Sequence, residues 1–147
     1  MTADVWTAPE VTRIDEPRVA DERSMLLGWL VWHRGTLLHK CAGLTGEQLA
    51  RQPLLPSEPS LLGMIRHHRD VERVWIQRRV DGQDVFPAYH DGERETAWSD
   101  LDPARAAEDY AALLAEWEVC DAVMARHTLD DTFTSPRRGD VSFRWVL

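Results

Sequence analysis

The sequence holds only two cysteines, Cys41 and Cys120, and a single lysine, Lys40, among its 17 basic residues. Two thiols cannot staple a disulfide scaffold, so a reducing, cytoplasmic setting is the expectation. No apolar run approaches the roughly 18 residues a membrane helix needs, and the acidic, proline-containing N-terminus has no signal-peptide pattern. Positive charge is in deficit: 25 acidic residues against 17 basic ones leave a net charge of −8. Long-range repulsion therefore opposes nucleic acid or an anionic membrane as the main partner. Missing as well are a glycine-rich phosphate loop, an H-E-x-x-H pair, a C-x-x-C pair and a nucleophile elbow, which removes the reactions those motifs carry. What is present, 147 residues with 44% hydrophobic and 29% charged side chains, suits one soluble globular domain with a sizeable core.

Residues 1–17 show no sustained periodicity and read as an N-terminal arm that frays or docks through Val5, Trp6, Val11 and Ile14. From 18 to about 42 the spacing of Leu26, Leu30, His33, Leu37 and Cys41 predicts an amphipathic helix, closed by Gly43. Thr45 and Gln48 form a capping-box pattern for a short helical turn. Pro53, Pro56 and Pro59 force an extended stretch, and Ser60 caps a helix predicted over 61–80. The loop of residues 83–101 is long and carries Phe86, Tyr89, His90 and Trp98, which favours a docked cover over a free lid. Asp102-Pro103 opens a third helix running to about His127. Its acidic residues Glu108, Asp109, Glu116, Glu118 and Asp121 read as a solvated face, while Trp29, Trp75 and Trp117 read as inward. Residues 130–140 read as a polar loop, and an apolar element begins at Val141. Three long amphipathic helices and a short or incomplete fourth imply an all-α, up-down four-helix bundle over residues 18–147.

Six histidines raise metal and acid–base chemistry first. His67 and His68 are neighbours on the second long helix, so they face different directions. Averaging the apolar positions puts His68 near the centre of the apolar stripe and His67 at its flank. Glu72 also lies near the centre, where a carboxylate is costly unless paired or ligating. A histidine on an apolar face is more often a hydrogen-bonded core residue than a ligand. The i, i+4 pair of His68 and Glu72 can share a ligand, orient one another or make a buried charged hydrogen bond. His33 sits in the first helix's stripe and His39 does not share its face. His127 suits the negative end of a helix dipole, and His90 lies in the long loop. Cys41 and Cys120, on apolar helix faces, read as inert core thiols.

Four strings belong together: Asp21-Glu22-Arg23 leading to Leu26-Leu27-Gly28-Trp29-Leu30; Thr36-Leu37-Leu38 with Lys40-Cys41, Gly43-Leu44-Thr45 and Glu47-Gln48-Leu49; Ser60-Leu61-Leu62-Gly63-Met64-Ile65-Arg66-His67 with Val71-Glu72-Arg73 and Trp75; and Ser142-Phe143-Arg144-Trp145-Val146-Leu147. Together they resemble the DinB-like superfamily, in its actinobacterial branch related to mycothiol-dependent enzymes such as maleylpyruvate isomerase. The resemblance implies a four-helix bundle with a divalent metal, zinc or nickel, held by three histidines. One of these matches His67; the other two form an H-x-x-x-H pair on a continuation of the last helix past Leu147. It implies a metal-dependent S-transferase or isomerase acting on a small molecule with a low-molecular-weight thiol, with Glu72 as a nearby catalytic acid–base group. His68, Glu72 or His33 would have to complete the ligand set in the printed chain. The alternative reading is a non-catalytic helical protein whose apolar groove is covered by the arm, by a second copy in a homodimer or by another protein.

Overall fold

In the computed structural model, which describes residues 5–147, local capping chemistry decides where each helix begins. Asp21 accepts hydrogen bonds from the Ser24 backbone N–H (3.0 Å) and hydroxyl (2.6 Å), starting α1, Glu22–Cys41. Thr45 and Gln48 close a reciprocal capping box on α2, Gly46–Ala50. Ser60 caps α3, Leu61–Glu72, which runs without a break into a π-helical stretch, Arg73–Val80. Asp102 and Pro103 set a single 3-10 turn, Pro103–Arg105, ahead of α4, Ala106–Met124. A two-stranded antiparallel hairpin follows, β1 (Thr132–Ser135) and β2 (Gly139–Ser142), leading into the one-turn α5, Phe143–Val146.

The chain is thus mostly helical, with three long helices, and the all-α expectation needs one correction. Residues expected to be a polar loop form the hairpin, since Thr132-Phe133-Thr134 suits a pleated ladder and Gly139, at φ 71°, supplies the left-handed turn residue. The arm docks through two of its four expected apolar residues, Trp6 and Val11, which pack against the core. Ala8 exchanges backbone hydrogen bonds with Leu44 (2.9 Å) and Gly43 (2.8 Å), and Trp6 meets Tyr110 edge-on at 5.9 Å. Val5 and Ile14 stay exposed.

Two apolar clusters form the core. One gathers Leu38, Leu49, Leu62, Ile65, Leu113 and Trp117; the other gathers Ile76, Cys120, Val123, Met124 and Phe143. Between them the buried surface is polar. The Arg34 guanidinium grips Glu72 with both nitrogen arms (Nε to Oε1, 2.9 Å), reaches Asp121 at 2.7 Å and lies over the Trp117 ring at 5.2 Å. Beside it Glu116 accepts from Gln77, Arg73 (2.9 Å) and Arg69 (3.3 Å). Glu116 and Asp109 are therefore buried, contrary to the solvated face expected of α4. Trp29, expected inward, is 42% exposed. The two carboxylates are held inside by separate partners, Glu116 by Arg69, Arg73 and Gln77 and Asp109 by the Tyr89 hydroxyl, since a buried charge is tolerated only when paired and hydrogen-bonded.

The far end is tied by ions. Arg23 donates to the Met124 (2.7 Å) and His127 (2.8 Å) carbonyls at the end of α4. Asp81 faces His127 Nε2 (2.9 Å) and Arg126 (2.7 Å), and Asp131 faces His127 Nδ1 (3.0 Å). His127 is thus an ion-pair hub beyond the end of α4, not a simple dipole cap. Hydrogen bonds from Gln83, His127 and Arg126 pull the Asp81 carboxyl down to about 2. A depressed folded-state value stabilises the fold above the ordinary carboxylate pKa of 3.8 and is lost as pH falls towards about 2. Urea midpoints followed against pH should therefore drop through that window in the parent chain. In Asp81→Asn the drop should be shallower, and parallel curves would contradict the assignment.

Candidate functional site

The long loop is held on α3 by two side chains that apolar periodicity does not flag. Arg66 donates to the carbonyls of Thr96 (3.0 Å), Ser99 (3.2 Å) and Asp100 (3.3 Å) and lies 4.5 Å over the Tyr89 ring. Asp70 accepts the Ala88 (2.6 Å) and Tyr89 (2.8 Å) amides. Trp98 seats on α3 at Gly63, where a Cβ would fall 2.6 Å from its ring. The expected docked cover is what forms. Removing the Arg66 guanidinium takes a donor from three loop carbonyls, and each charged hydrogen bond lost is worth about 1.5 kcal/mol or more. In Arg66→Ala the amide exchange of Ala88, Tyr89 and Thr96 should accelerate tenfold or more, with the amides of α4 unchanged. Uniform acceleration would mean that Arg66 supports the whole fold and not the loop.

The latched loop brings Glu95 to His67, and the carboxylate takes the imidazole Nδ1 in a short hydrogen bond. In the neutral ring this bond puts the proton on Nδ1 and leaves the lone pair on Nε2. The His67 ring lies 5.0 Å from Trp98 and 6.0 Å, edge-on, from His68. It borders a cavity of about 390 Å³ that also has Glu95, His90, Tyr89, Trp75 and Arg137 in its wall. His90 accepts the Gly92 amide at 3.0 Å. Tyr89 donates to Asp109 at 2.8 Å, and burial pushes its hydroxyl above the usual phenol range, with Asp109 adding to the rise.

The other expected site residues go elsewhere. Glu72 is clamped by Arg34, and burial raises its carboxyl above the ordinary range, only partly offset by that pair. His68 points to a different cavity from His67, and burial, helped by the charge of His67, lowers its pKa. Its position corrects the averaged face direction. The centre of the buried face of α3 is Leu62, Ile65, Arg66 and Glu72, whereas several apolar residues used in the average, Met64, Val71, Val74 and Trp75, are half-exposed. His33 packs with Trp29 and Trp32 on the outer side of α1. Cys41 and Cys120 are fully buried, and burial pushes their thiols up to about 11 and about 12, which keeps them protonated and inert.

Glu95 is the residue the sequence reading missed. No spacing rule links a loop carboxylate to a helix histidine 28 positions away, and the only signal was the unusual chemistry of the long loop. For a divalent metal the donor set does not fit. Among the described residues no three His, Cys, Asp or Glu side chains converge, and a zinc site needs about three protein ligands. His67 offers one nitrogen, its other being committed to Glu95.

Residues 25–147 match the profile of a protein family described as mycothiol-S-transferase. No curated protein and no solved structure matches the chain. Among the described residues no helix is long and apolar enough to cross a membrane.

Proposed function

The chain belongs to the mycothiol-S-transferase family, and from that premise we propose that it joins mycothiol, through its sulfur, to a small-molecule acceptor at His67. The observation that carries the site is the His67–Glu95 pair on the wall of a cavity. A thiol is a weak nucleophile until it loses its proton, and a nearby base is one way to remove it. Glu95 holds the imidazole in the tautomer whose Nε2 accepts that proton, the role a carboxylate plays behind a catalytic histidine. The thiolate then attacks the electrophilic carbon of the acceptor, the leaving group departs with the electron pair of the broken bond, and the proton passes from His67 to water. Arg137, on the same wall, is a cation that suits the negative charge of the thiolate as it forms.

Glu72 acts in this reading as a positioning residue, because Arg34 occupies both its oxygens. No step here is routed through the zinc or nickel implied by resemblance, because among the described residues the donors around His67 do not make up a ligand set. The up-down four-helix arrangement belongs to the same proposal, with α5 in the fourth position. Purified protein incubated with mycothiol and an alkylating acceptor should form the thioether, seen by mass, faster than the uncatalysed reaction. An unchanged background rate across several acceptors would overturn the proposal.

A further inference from the structure

Neighbouring histidines on α3 border separate cavities. His67 lines the polar one, whereas His68 lines a second, of about 380 Å³, between α1, α3 and α5. Val71 and Trp75 contribute to both walls, so the two spaces adjoin. The second cavity is apolar in its side chains, with Leu30 and Ile76 on one side and Val146 on another. Two indoles pack against each other in its wall: the rings of Trp75 and Trp145 are 5.7 Å apart and tilted by 59°.

We propose that this second cavity binds the acceptor of the transfer, a neutral aromatic electrophile of one or two rings, against Trp75 and Trp145. Its volume falls in the range of small-molecule sites, and paired indoles offer the tilted and offset faces that aromatic rings prefer. Charge decides the ligand class. The Glu72 carboxylate is already saturated by Arg34, so it offers nothing to a cation. Burial favours the uncharged form of His68, and Arg138, which stacks on the Trp145 ring at 5.1 Å, is not in the cavity wall, so an anion meets no cation in that wall. A charged ligand would lose its hydration without gaining a partner. The His68 imidazole can still hydrogen-bond a carbonyl or nitro oxygen, which orients the ring.

The word acceptor rests on the transferase reading; the binding of the aromatic does not. For an aryl halide the balance is simple. The thiol proton goes to His67, the sulfur pair forms the new carbon–sulfur bond, and the halide leaves with the pair of the broken carbon–halogen bond. Val71 and Trp75, common to both walls, mark where the two reactants meet.

Calorimetric titration with nitrobenzene, 4-nitrobenzoate and 4-nitrobenzylamine, without thiol, tests the site on the parent chain. Nitrobenzene should bind saturably at one site, at least tenfold more tightly than either charged analogue. Trp145→Ala, a change at a half-exposed side chain, should weaken nitrobenzene at least tenfold, and Trp145→Phe should restore most of that loss. Equal affinity for the three ligands in the parent chain, or an unchanged affinity in Trp145→Ala, would overturn the proposal. Nitrobenzene binding without any S-transfer would sink the transferase reading and leave this site standing. S-transfer without nitrobenzene binding would do the reverse.

Discussion

Replacing His67 by alanine lowers kcat/KM for S-transfer from mycothiol by about 10²- to 10⁴-fold, the usual contribution of a positioned general base. The loss is expected to depend on the thiol. With a thiol acidic enough to be ionised already, the base has no proton to remove, and parent and variant should converge. With a weakly acidic thiol the gap should be widest. Glu95→Gln tests the orienting half of the pair. The amide can take either ring nitrogen's partner, so the tautomer is no longer fixed and activity falls, though less than on loss of the ring itself. Steady-state kinetics across a graded series of thiols checks both variants. A constant loss across the series would assign His67 to binding alone.

The second large effect is on stability. Glu72→Ala leaves the Arg34 guanidinium buried beside Trp117, with only the half-exposed Asp121 as partner. Removing one member of a buried ion pair costs about 3–5 kcal/mol. That is a large share of the stability of a small domain, and urea denaturation should show a midpoint shifted far down with little change in slope. The paired replacement Arg34→Met with Glu72→Leu should recover most of the loss, because two apolar side chains of similar volume remove both desolvated charges at once. If Glu72→Ala is nearly silent, the polar layer does not hold the two core clusters together.

What could be read ahead of the structure follows from locality. The caps at Thr45, Ser60 and Asp102 were legible, because an N-cap is a bond between a side chain and a backbone two or three residues away. The inert thiols were legible from their place on apolar stripes. The buried faces of α3 and α4 were not. Periodicity places Glu72 inward but not its partner Arg34, 38 positions away, and it leaves Glu116 outside, whereas Arg73 draws that carboxylate in from 43 positions away. The resemblance singled out His67, but its partner depended on how Arg66 and Asp70 fasten the loop. Glu95 meets His67 only through that latch, and no pattern of nearby residues encodes it.

The central claim is that His67, held by Glu95, activates the thiol itself. The most direct measurement is the rate of mycothiol S-transfer after exhaustive chelation, for the parent chain and His67→Ala side by side. The account predicts that the chelated parent keeps its activity, that added zinc or nickel does not raise it, and that His67→Ala has lost it under both conditions. A parent chain that is inert after chelation and recovers with a stoichiometric metal ion would contradict it.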